Sequence, residues 1–150
     1  MKKTLILIAA ILGFAVVASA QPRAIGARIG HGGEFSYQHS FGSNFGELDL
    51  GWYAHNFDVV GIYDFVLAGN GLCNFYLGPG AYLGFYNDGH PHPDNHSGLN
   101  VGIAGQIGVE WNIPQIPLQI SLDWRPVYLF VYENGPFDYY SFGLGIRYRF

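Results

Sequence analysis

Apolar and polar residues alternate along most of this chain, and the alternation is cleanest at its end. From 140 to 150 one set of positions holds Tyr140, Phe142, Leu144, Ile146, Tyr148 and Phe150. The interleaved set holds Ser141, Gly143, Gly145, Arg147 and Arg149. Successive side chains of a strand point to opposite faces, so this period of two predicts a strand with one bulky face and one small or cationic face. The pattern recurs upstream. Leu118, Ile120, Leu122 and Trp124 alternate with Gln119, Ser121, Asp123 and Arg125, and similar sets run through 99–113 and 74–86. The front half is less regular, with strands expected near 24–30, 34–41, 46–54 and 57–67. Clusters of Gly, Asn, Ser, His and Pro punctuate these runs, as at Gly42-Ser43-Asn44 and Pro114-Gln115-Ile116-Pro117, and such clusters mark turns. Beyond residue 20, no segment sustains the i, i+3, i+4 spacing of an amphipathic helix.

Eight strands with seven connections close naturally into an up-and-down barrel. Which face turns inward separates two classes. A soluble ligand-carrying barrel turns its apolar side chains in and its polar ones out. Here the bulky set is too large for an eight-stranded interior, which is only just wide enough for side chains. The interleaved Gly, Ser, Asn, Gln, Asp, Glu and Arg fit that space, and the bulky set is left to meet lipid. The expected fold is all-β: an eight-stranded antiparallel up-and-down transmembrane β-barrel with a polar, side-chain-filled lumen. With both termini periplasmic, the turns at 42–45, 68–72 and 114–117 are short, and the longest connection, 88–98, falls on the extracellular side, as outer-membrane barrels prefer. Trp52 and Trp111 are expected near opposite interfaces, whereas Trp124 lies nearer mid-strand.

The first twenty residues follow a different rule. Lys2 and Lys3 precede the uncharged apolar run Leu5 to Val17, and Ala18-Ser19-Ala20 supplies small residues for cleavage. This is the pattern of a cleaved secretory signal, 1–20, with Gln21 as the expected mature N-terminus and 21–150 as one barrel domain. The apolar run is well short of the roughly 20 residues of a spanning helix. Removing it takes away both lysines and leaves five arginines against 11 acidic residues, a formal charge of −6.

Composition narrows the classes further. The 150 residues are 49% hydrophobic, 17% aromatic and 12% charged, which excludes disorder. A single Cys excludes an internal disulfide framework. Seven basic residues against 11 acidic ones, with no basic stripe, argue against a nucleic-acid partner. The charges that alternation turns inward are Arg28, Arg125, Arg147 and Arg149 against Glu34, Glu47, Asp49, Asp64, Glu110 and Asp123. Buried charges need partners, so these residues are expected to form an ion-pair network that plugs the lumen.

By pattern, 21–150 resembles the small eight-stranded outer-membrane barrels of the OmpA/OmpX type. The sharpest likeness is the end of the chain, Phe142-Gly-Leu-Gly-Ile-Arg-Tyr-Arg-Phe150. Its alternating Phe142, Leu144, Ile146, Tyr148 and Phe150 resemble the signal by which the bacterial outer-membrane assembly machinery recognises its clients. Ile116-Pro-Leu-Gln-Ile-Ser-Leu-Asp-Trp-Arg-Pro126 is similar to the penultimate strand of porin-like family proteins. The resemblance implies export to a Gram-negative outer membrane, outer-membrane lipid as surroundings, and the assembly machinery as a partner during biogenesis. It implies no particular activity.

Local chemistry is sparse. The segment Asp88-Gly-His-Pro-His-Pro-Asp-Asn-His-Ser97 gathers His90, His92 and His96 with two carboxylates. These are ligand types for Zn or Cu, but their spacing matches no closed structural site, and a solvated loop tip is the plainer reading. No cofactor is otherwise implied. A lipid-modifying hydrolase needs a Ser–His pair within hydrogen-bond reach. His39 and Ser40 are strand neighbours on opposite faces, and His96 and Ser97 have no evident oxyanion hole. No catalytic residue is therefore assigned. Asn95-His-Ser97 fits a glycosylation sequon too short to inform. Cys73 falls in the lipid-facing set, and Gly78-Pro79-Gly80 is expected to leave room for Tyr76 and Tyr82. The leading expectation is a non-catalytic envelope-structural or surface-interaction protein, which includes a role as accessory subunit of a membrane complex. A narrow ion or small-solute channel and a lipid-modifying enzyme are the alternatives.

Overall fold

The computed structural model describes residues 22–53, 56–85, 98–130, 137–138 and 141–150. Ten strand segments follow in order: β1 (Pro22–Ile29), β2 (Gly33–Phe41), β3 (Asn44–Tyr53), β4 (Asn56–Gly69), β5 (Cys73–Phe85), β6 (Leu99–Asn112), β7 (Leu118–Trp124), β8 (Val127–Leu129), β9 (Phe137–Asp138) and β10 (Phe142–Arg149). Every pairing is antiparallel. Neighbours run β5-β4-β3-β2-β1-β10-β7-β6, and β6 pairs back onto β5. The result is a closed eight-stranded barrel, and closure leaves no open sheet edge to template aggregation.

Ten segments make eight staves because two of them are interrupted. Trp124 of β7 opposes Ile107 of β6, and Val127 of β8 opposes Ala104, so one register runs through both. The interruption is Arg125-Pro126. Proline has no amide hydrogen to give, and Pro126 contributes only its carbonyl, which accepts from the Gly105 N–H at 2.9 Å. The Arg125 N–H donates to the Ser141 carbonyl at 2.8 Å. β9 pairs with β8 and continues the last stave beyond β10. Between β2 and β3 the loop is only Gly42-Ser43, with Gly42 at φ 69°. A two-residue hairpin with positive φ at its first position calls for Gly there.

Burial inverts the usual order of a soluble domain. Among the described residues the buried set holds seventeen polar or charged side chains and seven hydrophobic ones, while thirty large hydrophobics are exposed. Ile146, Leu144 and Phe142 point outward from β10, and Arg147, Gly145 and Gly143 point inward. The exterior aromatics gather towards the two ends. His39, Phe41, Tyr63 and Phe65 form a chain of ring contacts at 4.8, 5.7 and 5.1 Å near the Gly42-Ser43 turn. Trp52, Phe57 and Phe85 form another at 6.4 and 6.3 Å at the opposite end. Trp111 opposes Cys73 at the first of these ends. Trp124 lies 6.3 Å from the Phe142 ring, stacked on it across the β7–β10 pair.

The interior is not uniformly polar. Towards the end away from the Gly42-Ser43 turn, Val60, Ile62, Ala104 and Val127 form a small apolar cluster, flanked by Tyr82 and Leu129. Glycines make room for inward rings, but not the ones expected. Tyr76 occupies the space a Cβ on Gly108 would need, and Tyr82 lies over Gly84. Gly78 instead clears space for the Asp64 carboxylate, and Gly80 for Ile62. Spacing along one strand cannot show which ring crosses to which neighbour, and that is why this expectation fails.

Candidate functional site

The densest chemistry in the barrel is its charged core. Arg28, Arg125 and Arg147 are 0%, 1% and 0% exposed, and each comes from an inward position of a different stave. Arg125 sits at the β7–β8 interruption and donates through every guanidinium nitrogen. Its Nε reaches Gln106 Oε1 at 2.7 Å and its Nη1 reaches Glu34 Oε2 at 3.0 Å. Nη2 lies 2.8 Å from Glu47 Oε1 and also pairs with Asp49. Arg28 donates to Asp123 Oδ1 from Nε at 2.8 Å and to Glu34 Oε1 from Nη1 at 2.8 Å. Glu34 therefore bridges two arginines. Arg147 places Nη2 3.0 Å from Glu47 Oε2, and donates to Ser36 Oγ at 2.8 Å and Ser121 Oγ at 2.6 Å. Two amides complete the set around Glu47: Gln38 donates to it at 2.6 Å, and Gln106 Nε2 at 3.3 Å.

Glu110 anchors a second group nearer the chain termini. It pairs with Arg23 and accepts from Asn74 Nδ2 at 2.9 Å and Gln119 Nε2 at 2.6 Å. Arg23 also lies over the Phe45 ring, 4.0 Å from its centroid. Strict alternation from Arg28 turns Arg23 outward. A register irregularity between Pro22 and Ala24, facing His39 and Gln38 of β2, turns it in. Bulges of this kind re-aim side chains, and nothing in the period announces them. The amides Gln38, Asn74, Gln106 and Gln119 join the core from inward positions that charge counting alone passes over.

The remaining sequence candidates fall as follows. Asp64 is buried and, among the described residues, accepts only from Gln106 Nε2, at 3.4 Å. Arg149 is half-buried on β10 and, among the described residues, forms no ion pair. Phe142, Leu144, Ile146, Tyr148 and Phe150 are all exposed on the outer face of the last stave and beyond it. His39 points outward beneath its neighbours, with Tyr37 Oη 3.2 Å from Nδ1 and the Phe41 ring edge-on. His90, His92 and His96 lie outside the described residues, as do the signal segment 1–20 and the sequon. Among the described residues no group of three His, Cys, Asp or Glu converges to hold a metal ion.

At the end opposite the Gly42-Ser43 turn the barrel opens into a cavity of about 370 Å³, with Glu34, Asp58 and Arg125 among its lining and Val60, Tyr82, Val127 and Leu129 along one side. Below it the charged core fills the bore.

No protein-family model matches this chain, and neither a curated protein nor a solved structure does.

Proposed function

We propose that this chain is an integral outer-membrane barrel with a non-catalytic role in envelope structure or surface interaction, held rigid by an occluded, ion-paired lumen. One observation carries the reading: the burial order is inside out. Bulky apolar side chains cover the outer wall while buried arginines and carboxylates fill the centre. In water such a wall would be an apolar patch far beyond what a soluble monomer exposes. In a bilayer it is the expected lipid face, with aromatic bands at both interfaces.

Three arginines and their partners occupy the middle of the bore, which favours a stiff post over a pore and leaves surface-directed roles. Those include service as an accessory subunit of a larger membrane complex. The outward alternation of Phe142, Leu144, Ile146, Tyr148 and Phe150 supports delivery by the outer-membrane assembly machinery. Expression of the full chain in a Gram-negative host, followed by density-gradient separation of the two membranes, is expected to recover it with the outer membrane. There it should migrate faster in gels before boiling than after. Recovery in the soluble periplasm overturns the reading.

A further inference from the structure

The cavity at the mouth of the barrel is a built space with a definite charge preference. Its volume, about 370 Å³, falls within the range of small-molecule sites, which join an apolar wall to a few convergent polar groups. Here the wall is Val60, Tyr82, Val127 and Leu129, continuous with the lumenal apolar cluster. Arg125 stands among the lining residues, but four of its five N–H donors are committed to Gln106, Glu34, Glu47 and Asp49. The three carboxylates already at its guanidinium disfavour an incoming anion. Asp58 is the opposite case. Its carboxylate rests against the backbone of Gly51, in space a side chain there would fill, and it lines the cavity. Among the described residues it forms no ion pair. The formal count of ionisable groups beneath also favours carboxylates. Glu34, Glu47, Asp49, Asp64, Glu110 and Asp123 face inward with only Arg23, Arg28, Arg125 and Arg147 woven among them. A carboxylate without an ion-pair partner in a mouth with low-dielectric walls attracts cations.

We propose that this mouth is a binding site for a small organic cation, an ammonium group on an apolar or aromatic body. The ammonium sits at Asp58 and the body lies along the Val60–Tyr82–Leu129 wall. The inference goes beyond the envelope role and does not depend on what surrounds the outer wall, because every group it uses lies inside the mouth.

The test is calorimetric titration of the folded full-length barrel in a zwitterionic detergent, with detergent blanks subtracted. The probes are 2-phenylethylamine, 2-phenylethanol and 3-phenylpropionate. The expected result is saturable one-to-one binding of the amine alone. Asp58→Asn is expected to weaken it at least tenfold, and Asp58→Glu to retain it. Absence of saturable heat with the amine overturns the proposal. So does equal binding of the alcohol or the acid, a comparison that needs no variant. Unchanged affinity in a folded Asp58→Asn barrel overturns the assignment of Asp58.

Discussion

Every guanidinium nitrogen of Arg125 donates to a lumenal acceptor, and three of its four acceptor residues are carboxylates. That arrangement sets its energetics. Taking an ion out of water costs several kcal/mol, and a buried pair repays this only when its remaining donors and acceptors are also satisfied. Here Arg125 commits four of its five N–H donors, while Asp49 Oδ1 has no hydrogen-bond partner among the described residues. Removing the arginine alone leaves a buried carboxylate uncompensated, and is therefore far more damaging than removing the pair. Arg125→Met keeps much of the apolar stem but leaves Asp49 with no ion-pair partner among the described residues, while Glu34 keeps Arg28 and Glu47 keeps Arg147. Its expected cost is about 3–5 kcal/mol, read as a lower urea midpoint for the barrel folded into phospholipid vesicles. Adding Asp49→Asn to Arg125→Met is expected to restore part of that loss, since it removes the charge left without a partner and leaves the Arg147–Glu47 pair intact. If the double variant is no more stable than the single one, packing of the stem, rather than charge pairing, is what Arg125 supplies.

At the level of elements, the last stave shows how small residues make a charged core possible. β10 pairs with both β1 and β7 and so closes the ring, yet apart from Arg147 its buried inward positions hold only Gly143 and Gly145. A Cβ on Gly143 would fall within the Arg28 guanidinium, and one on Gly145 would meet Ser121 Oγ and Arg147. These glycines leave the floor over which two arginines lie flat. Gly143→Leu is therefore expected to expel Arg28 from Asp123 and cost about 3 kcal/mol or more by chemical denaturation, through overpacking and a broken buried pair. Gly61→Ala is the control. Gly61 is on β4 with nothing within 4 Å of a new Cβ, so a change within about 0.5 kcal/mol is expected. Equal losses in the two would show that strand glycine matters for backbone reasons, not for the space it leaves to Arg28. The same stave shows what a sequence carries and what it withholds. The period of two places Arg147 and Gly145 on one face and Ile146 on the other, and the eight staves follow from repeating that reading. The irregularity that turns Arg23 towards Glu110 leaves no trace in the period. The break at Arg125-Pro126 is visible as a proline, but not the unchanged register across it. Which carboxylate meets which arginine depends on strand stagger and tilt around the closed ring, and alternation along one strand contains neither.

On the scale of the whole molecule, the barrel has two unlike ends, and the difference gives it a direction. One end carries the short Gly42-Ser43 loop, the Asn70-to-Leu72 and Ile113-to-Pro117 connections, and both ends of the barrel chain, where the Phe150 N–H reaches the Arg23 carbonyl at 3.4 Å. The other carries the cavity mouth, with His31 and Asp58 among its lining. Bacterial outer-membrane barrels place short turns in the periplasm and longer loops outside, so the mouth is expected to face the medium and Ser43 the periplasm. Single cysteines can read this directly once the native thiol is removed. Cys73 is half-buried on the wall near the short-turn end, and Cys73→Ser gives a silent background. In that background His31→Cys is expected to react with a membrane-impermeant maleimide on intact cells. Ser43→Cys should react only after the outer membrane is permeabilised. Both positions are exposed, so differences in labelling report the barrier and not burial. The reverse pattern would put the mouth on the periplasmic side, where any organic cation it binds would come from the cell's own envelope. Labelling of both positions on intact cells would mean that no membrane separates them. In that case the apolar wall must be covered by something other than lipid.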